Sequence, residues 1–211
     1  MDLDTLVELN RSQRCSERDD FTDRRYLSFL QHLGPDVRDV LDIGCNTGRG
    51  GAAIKALRPE LRITGLDCVQ ERVEALNRSV YQGALCGFMQ DVPLRSGSFD
   101  AIVAAEIIEH VPPSEVPRSL CECWRLLRLR GRVLLTTPNP FYLRNRLQGL
   151  SVLMDPSHLS QHTIASLRRR LEDVGFTRVK VYGNGRVSKI IGSRWPLRLL
   201  YGSYLVVAQK W

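Results

Sequence analysis

Short apolar runs alternate with stretches of helical period along most of this chain. Val40-Leu41-Asp42-Ile43, Ile63-Thr64-Gly65-Leu66-Asp67, Phe88-Met89-Gln90-Asp91, 98–104 and 133–137 read as strands. Apolar positions at helical spacing mark 24–30 within a helical segment 1–33, which Gly34-Pro35 ends. The run 118–129 reads as a further helix, and Gly131 restarts the chain into the next strand. Strand, helix, strand in repetition predicts a parallel sheet with helices on both faces. Pro138-Asn139-Pro140 breaks the pattern, and 138–162 follow no sheet period. An irregular stretch of that length is either functional or holds small helices of its own. Thr163 then caps a helix through Glu172, Gly175 closes it, and 176–182 and 204–208 are the last strands.

Composition narrows this little. The 211 residues suit one domain, with 43% hydrophobic and 25% charged residues as in an ordinary globular chain. No run of about 18 apolar residues predicts a membrane span, and the acidic start Met1-Asp2-Leu3-Asp4 does not read as a secretory signal. Six cysteines without a C-x-x-C pair read as reduced thiols of a cytoplasmic protein. Charge changes the picture more. Residues 1–117 carry 13 Lys+Arg against 19 Asp+Glu, a balance of −6. Residues 118–211 carry 17 against 4, a balance of +13, much of it from Arg128, Arg130, Arg132, Arg144, Arg146 and Arg168-Arg169-Arg170. That face is either merely solvated or attracts an anionic substrate, a membrane surface or nucleic acid.

The candidate chemistry begins where the first strand ends. Val40-Leu41-Asp42-Ile43 runs into Gly44-Cys45-Asn46-Thr47-Gly48, and Gly50-Gly51-Ala52-Ala53-Ile54 opens a helix. Such a turn brings backbone N–H groups near a ligand. A dinucleotide fingerprint wants a second glycine where Asn46 stands, and Asp42 would crowd a pyrophosphate with negative charge. A nicotinamide oxidoreductase is therefore disfavoured. Asp67 ends the second strand at a distance that suits a carboxylate accepting from ribose hydroxyls. Polar residues at the C-terminal ends of four strands would lie along one rim of the sheet.

With VLDIGCNTGRG at 40–50, ITGLDCV at 63–69, MQDVPLRSGSFDAIVAAEIIEHV at 89–111 and GRVLLTTPNP at 131–140, the chain resembles the class I S-adenosylmethionine-dependent methyltransferases over about residues 20 to 182. Asn46 departs from the glycine usual there. The resemblance implies a single doubly wound, Rossmann-like α/β domain, with a seven-stranded, mostly parallel sheet and a C-terminal antiparallel hairpin. It divides the chain into an N-terminal helical cap (1–35), a cofactor half (36–137) and a substrate half (138–211) with the insertion 138–162. It implies S-adenosylmethionine as cofactor. Asp42 and the loop Gly44, Cys45, Asn46 and Gly48 would hold the methionine portion, Asp67 with Cys68 the ribose, and Gln90, Asp91 and Val92 the adenine, with Glu106 lining the pocket.

Methyl transfer needs alignment and exclusion of water, and a base only if the acceptor must lose a proton. His110, in Glu106-Ile107-Ile108-Glu109-His110, either shapes the cofactor pocket or acts as base, while Glu106 and Glu109 organise the loop. His158, in Asp155-Pro156-Ser157-His158, is either a base on the substrate side or a loop residue; His162 reads as structural and His32 has no role. Arg25 and Tyr26 either border the methionine end or serve packing, and Asn139 is a further substrate-side candidate. No metal-ligand spacing or nucleophile elbow occurs, so no metal is expected. Segment 186–201 mixes apolar residues with cations and reads either as a packed connection or as a lipid-interface segment.

The leading expectation is O-methylation of a small anionic acceptor, such as a nucleotide- or lipid-linked sugar or a quinone or secondary-metabolite precursor. Nucleic acid is not expected as partner, because no N-P-P-Y or D-P-P-Y stretch follows the fourth strand. The alternatives are an RNA methyltransferase and a binding module without turnover.

Overall fold

The computed structural model describes residues 2–12, 21–185, 187–194 and 197–211. Cys15, one of the six cysteines, and Arg186, Trp195 and Pro196 of segment 186–201 lie outside the described residues. Seven strands form one sheet: β1 Asp39–Ile43, β2 Arg62–Asp67, β3 Tyr81–Cys86, β4 Phe99–Ala105, β5 Leu127–Pro138, β6 Phe176–Asn184 and β7 Ser203–Lys210. Their order is β3-β2-β1-β4-β5-β7-β6. The first five pair in parallel, and β7 lies antiparallel between β5 and β6. The expected C-terminal antiparallel pair is therefore present, with β7 inserted between its neighbours. The helices are α1 Leu3–Arg11, α2 Phe21–Leu30, α3 Arg49–Leu57, α4 Gln70–Ala75, α5 Val116–Leu126, α6 Leu143–Leu147, α7 Ile164–Val174 and α8 Ser188–Ile191.

The sheet is buried on both faces, which is why its central strands read as unbroken apolar runs. Alternate residues of β1 and β4 serve opposite layers. Leu41, Ile43, Ile102 and Ala104 pack with Leu120 of α5 and with Leu167 and Leu171 of α7. Val40, Ala101 and Val103 pack with Tyr26 and Phe29 of α2 and Ile54 of α3. Thr163 caps α7 by accepting from the Ser166 N–H at 3.1 Å, and Gly175 closes it at φ 106°.

Three local expectations need correction. The third strand is Tyr81–Cys86, and Phe88–Asp91 is a tight turn bridged between those two residues. Gly87 ends the pairing by donating to the Asp67 carbonyl at 2.9 Å. The helix expected over 118–129 starts earlier and stops at Leu126. Leu127 already pairs with Phe99, and Arg128 is held to Asp39 and Asp100 at 2.8 and 2.6 Å. The irregular stretch 138–162 carries α6 and a 3-10 turn, Val152–Met154. Cys45, Cys68, Cys86, Cys121 and Cys123 carry free thiols. Among the described residues no helix is long and apolar enough to cross a membrane.

Candidate active site

The parallel strands all end on one side of the sheet, where such sheets bind ligands. Two joined cavities open there. The first encloses about 690 Å³, open solvent at its mouth included, and runs over the ends of β1, β2 and β4. That volume falls within the range of small-molecule sites. The second extends from the same loop under α2 towards residues 155–158. Gly44, Asn46, Ala105, Glu106 and His110 line both.

The loop after β1 takes a left-handed conformation at every second residue: Gly44 (φ 71°), Asn46 (φ 49°) and Gly48 (φ 81°). Asparagine tolerates that region, so the departure from glycine leaves the turn formed. Gly44 and Cys45 donate to the Leu66 carbonyl at 2.7 and 3.1 Å, which fixes the loop to β2. Asn46 N–H and Val69 N–H donate to the two carboxylate oxygens of Asp67 at 2.9 and 3.0 Å. Each oxygen keeps acceptor capacity, and Asp67 lines the first cavity beside Cys68, Met89 and Gln90.

Asp42 stands elsewhere than the resemblance implies. It is fully buried and lines neither cavity. Tyr26 and Tyr81 donate their hydroxyls to its two oxygens, both at 2.6 Å. Burial raises its pKa to about 7, against the opposing pull of the two phenols. The helix after the loop is built around these rings. A Cβ on Gly50 would lie 2.1 Å from the Tyr26 ring, and one on Gly51 would lie 2.1 Å from the Tyr81 hydroxyl. The paired glycines thus make room for tyrosines, which support the floor beneath the loop.

At the end of β4, Glu106 adopts φ 53° and donates its N–H to the hydroxyl and carbonyl of Thr136, both at 3.1 Å. Its carboxylate lies 3.5 Å from the Arg25 guanidinium. Glu109 is fully buried and accepts from Thr137 at 3.1 Å, and burial, then the charge of Glu106, pushes its carboxyl well above the usual carboxylate range. Its carbonyl accepts from Leu159 and Ser160 at 2.8 and 3.0 Å, pinning the end of the irregular stretch to this rim. His110 Nδ1 lies 2.8 Å from the Ser157 carbonyl and His158 Nδ1 lies 2.6 Å from the Val152 carbonyl. A carbonyl only accepts, so both Nδ1 atoms carry the proton and Nε2 is the basic nitrogen of each ring. The rings meet edge to face at 4.8 Å. Burial lowers the pKa of His110 to about 4, so it is neutral at pH 7.

Of the expected cofactor residues, Gly44, Asn46, Asp67, Cys68, Gln90 and Glu106 line the first cavity and Cys45 lines the second. Arg25, Tyr26, His110 and His158 line the second. Gly48, Asp91, Val92 and Asn139 line neither. Gly48 caps α3 beneath Leu76 and Tyr81. Asp91 points to solvent, 3.7 Å from Arg118, because the turn at 88–91 replaces the expected strand end. Val92 packs in the core. Asn139 is buried and donates to the carbonyls of Arg198 and Tyr201, so it ties two segments together. His162 is structural, bonded to Ser160 at 2.9 Å. Leu6 and Asn10 of α1, and Arg72, line the first cavity without having been singled out. α1 carries no cofactor motif, and contacts with α4 bring it to the rim: Arg72 donates to the Asn10 carbonyl at 2.6 Å and Arg11 pairs with Glu71 at 3.2 Å. Glu109, His110 and His158 bring three potential ligand atoms within 4.8 Å of one another, the place among the described residues where a cation would find donors.

A sheet of this order, with an acid-tipped β2 beside a glycine-bearing loop, defines the class I methyltransferase fold. The methyltransferase-domain family model matches residues 41–135. A probable S-adenosylmethionine-dependent methyltransferase of Mycobacterium tuberculosis is 29% identical over 164 residues, covering 76% of this chain and 57% of that protein. The demethylmenaquinone methyltransferase of Thermotoga maritima is 30% identical over 113 residues, covering 53% of this chain and 48% of that one. The chain thus spans about half the length of these relatives. The crystal structure of a methyltransferase from Archaeoglobus fulgidus superposes with a TM-score of 0.72 at 19% identity, covering 98% of each chain. These findings support a class I S-adenosylmethionine-dependent methyltransferase domain in this chain, with S-adenosylmethionine as its cofactor. The donors in the cavity fit that group: a carboxylate with spare acceptor capacity for a diol, and an apolar strip of Leu66, Phe88 and Met89 for a planar base.

Proposed function

We propose that this chain transfers a methyl group from S-adenosylmethionine to a hydroxyl of a small anionic acceptor, in a cytoplasmic setting. The observation that carries this is the second cavity. It joins the Asp67 cavity at Gly44 and Glu106, and at its far wall stand His110 and His158, each oriented by a backbone carbonyl. The bound cofactor supplies a methyl group on a positively charged sulfur. Asp67 would hold the ribose hydroxyls, and the Gly44–Asn46 turn would receive the methionine portion. Asp42 acts through Tyr26 and Tyr81 and holds the loop from below. His158 Nε2 would take the proton that the acceptor hydroxyl loses on receiving that methyl group. Neutral His110 lies between the cofactor side and His158 and keeps that ring in place. Arg25 and Arg49 line the same cavity, paired with Glu106 at 3.5 Å and Asp23 at 3.1 Å, and an acceptor bearing phosphate or carboxylate would share those guanidinium groups with the two acids. A nucleotide- or lipid-linked sugar and a quinone precursor both meet that description.

Replacing His158 by Ala should lower kcat by about 10²-fold or more, the scale of a lost general base. Affinity for S-adenosylhomocysteine should stay at the wild-type value. Wild-type turnover in that variant would remove His158 from the reaction.

A further inference from the structure

A third cavity leads away from the site. It begins at Arg25 and Glu106, which it shares with the second cavity, and passes between Tyr142 and Arg144 on one side and Val187 and Ser188 on the other. Its two lips carry the segment 141–154 and the described residues 187–194 and 197–200. Apolar side chains that a globular chain would bury stand out in water on both. Leu147 is 79% exposed and Met154 62% on one lip; Ile190 is 85% and Leu197 53% on the other. Leu143, Leu150, Leu153 and Leu199 are exposed as well.

Cations are interleaved with these residues and acids are missing. Residues 138–154 contain Arg144 and Arg146, and residues 174–211 contain no Asp or Glu at all. Arg144, Arg146, Arg194 and Arg198 are exposed. This differs from the arginines at the opposite end of the sheet, where Arg128 is neutralised by Asp39 and Asp100. The lips are also one unit. Buried Asn139 donates to the carbonyls of Arg198 and Tyr201 at 3.0 and 2.8 Å, accepts from Tyr204, and donates its own N–H to Gly202 at 2.9 Å.

We infer that the two lips dock on an anionic lipid bilayer, leucines and Ile190 entering the interface and arginines meeting lipid phosphates. Exposed leucines and isoleucine with interspersed cations, on two segments flanking one cavity, are what such an interface selects, and nucleic acid would leave the apolar side chains in water. The cavity between the lips then gives an amphiphilic, membrane-borne acceptor a path to Glu106 and His110. That second clause rests on the methyl-transfer reading; the docking does not.

The test is co-sedimentation of the full chain with vesicles of phosphatidylcholine, with and without phosphatidylglycerol. Binding should require phosphatidylglycerol and weaken as salt is raised. The double variant Leu147→Ser, Ile190→Ser should lose at least about tenfold in vesicle partitioning, while its S-adenosylhomocysteine affinity and melting temperature stay unchanged. No binding to phosphatidylglycerol vesicles would overturn the inference. So would binding that the double variant retains, or binding to RNA in preference to vesicles. Vesicle binding by a chain that fails to bind S-adenosylhomocysteine would leave the docking standing and defeat the methyl-transfer reading alone.

Discussion

Asp42 shows how a residue legible in the sequence acquires its meaning from two that were not. Its carboxylate is buried between the Tyr26 and Tyr81 hydroxyls, and its pKa rises from the ordinary 3.8 to about 7. Between those values the folded state holds a proton that the unfolded chain has lost, so stability should fall as pH rises through that window. The slope approaches about 1.4 kcal/mol per pH unit. Asp42→Asn removes the titration, and urea unfolding at about pH 5 and about pH 7 should show a smaller loss in the variant than in the wild type. Parallel losses would mean that Asp42 titrates normally. The partners stand 16 and 39 positions away, on α2 and β3, and no local pattern announces them. The place of Asp67 was legible, because an acid that ends a strand of a parallel sheet stands at the rim where the first cavity opens. Asp91 was not: its role assumed a strand at 88–91, where the chain makes a turn.

Elements were legible where one physical cause dominated. The strands β1, β2 and β4 are apolar because both faces are covered, and α7 carries its Thr163 cap and Gly175 stop in the sequence. β3 was missed because Gly83 and polar Gln82 dilute its pattern at the sheet edge. The end of α5 was misjudged because Arg128 and Arg130 look like a helical face, whereas ion pairing draws Arg128 into the strand. α3 offers a test at this scale. Alanine is a better helix former than glycine, yet Gly51→Ala would set a methyl 2.1 Å from the Tyr81 hydroxyl. Overpacking should win, with a loss of about 1–3 kcal/mol in thermal or urea unfolding. A stabilised variant would mean that Tyr81 is free to move and does not hold Asp42.

For the whole molecule, the contrast between an acidic first part and a basic second part resolves into geography. Asp39 and Asp100 of the first part and Arg128 of the second meet at the N-terminal ends of the strands, while exposed Arg144, Arg146, Arg194 and Arg198 stand on the lips of the third cavity. The first cavity lies where the motif order put the cofactor; the second and third are lined from α2, the stretch after β5 and the segment before β7, which the sequence had offered as the substrate half without its detail, because residues so far apart meet only in the fold. Everything proposed for turnover depends on the first cavity holding the cofactor. Asp67→Ala should therefore weaken S-adenosylhomocysteine binding by about 1–3 kcal/mol, the scale of hydrogen bonds lost to a charged group. The direct test is calorimetric titration of the purified wild-type chain with S-adenosylhomocysteine, beside a nicotinamide dinucleotide. Saturable one-to-one binding of the first alone is the predicted result. Binding of the dinucleotide, or of neither, would contradict the assignment of this cavity.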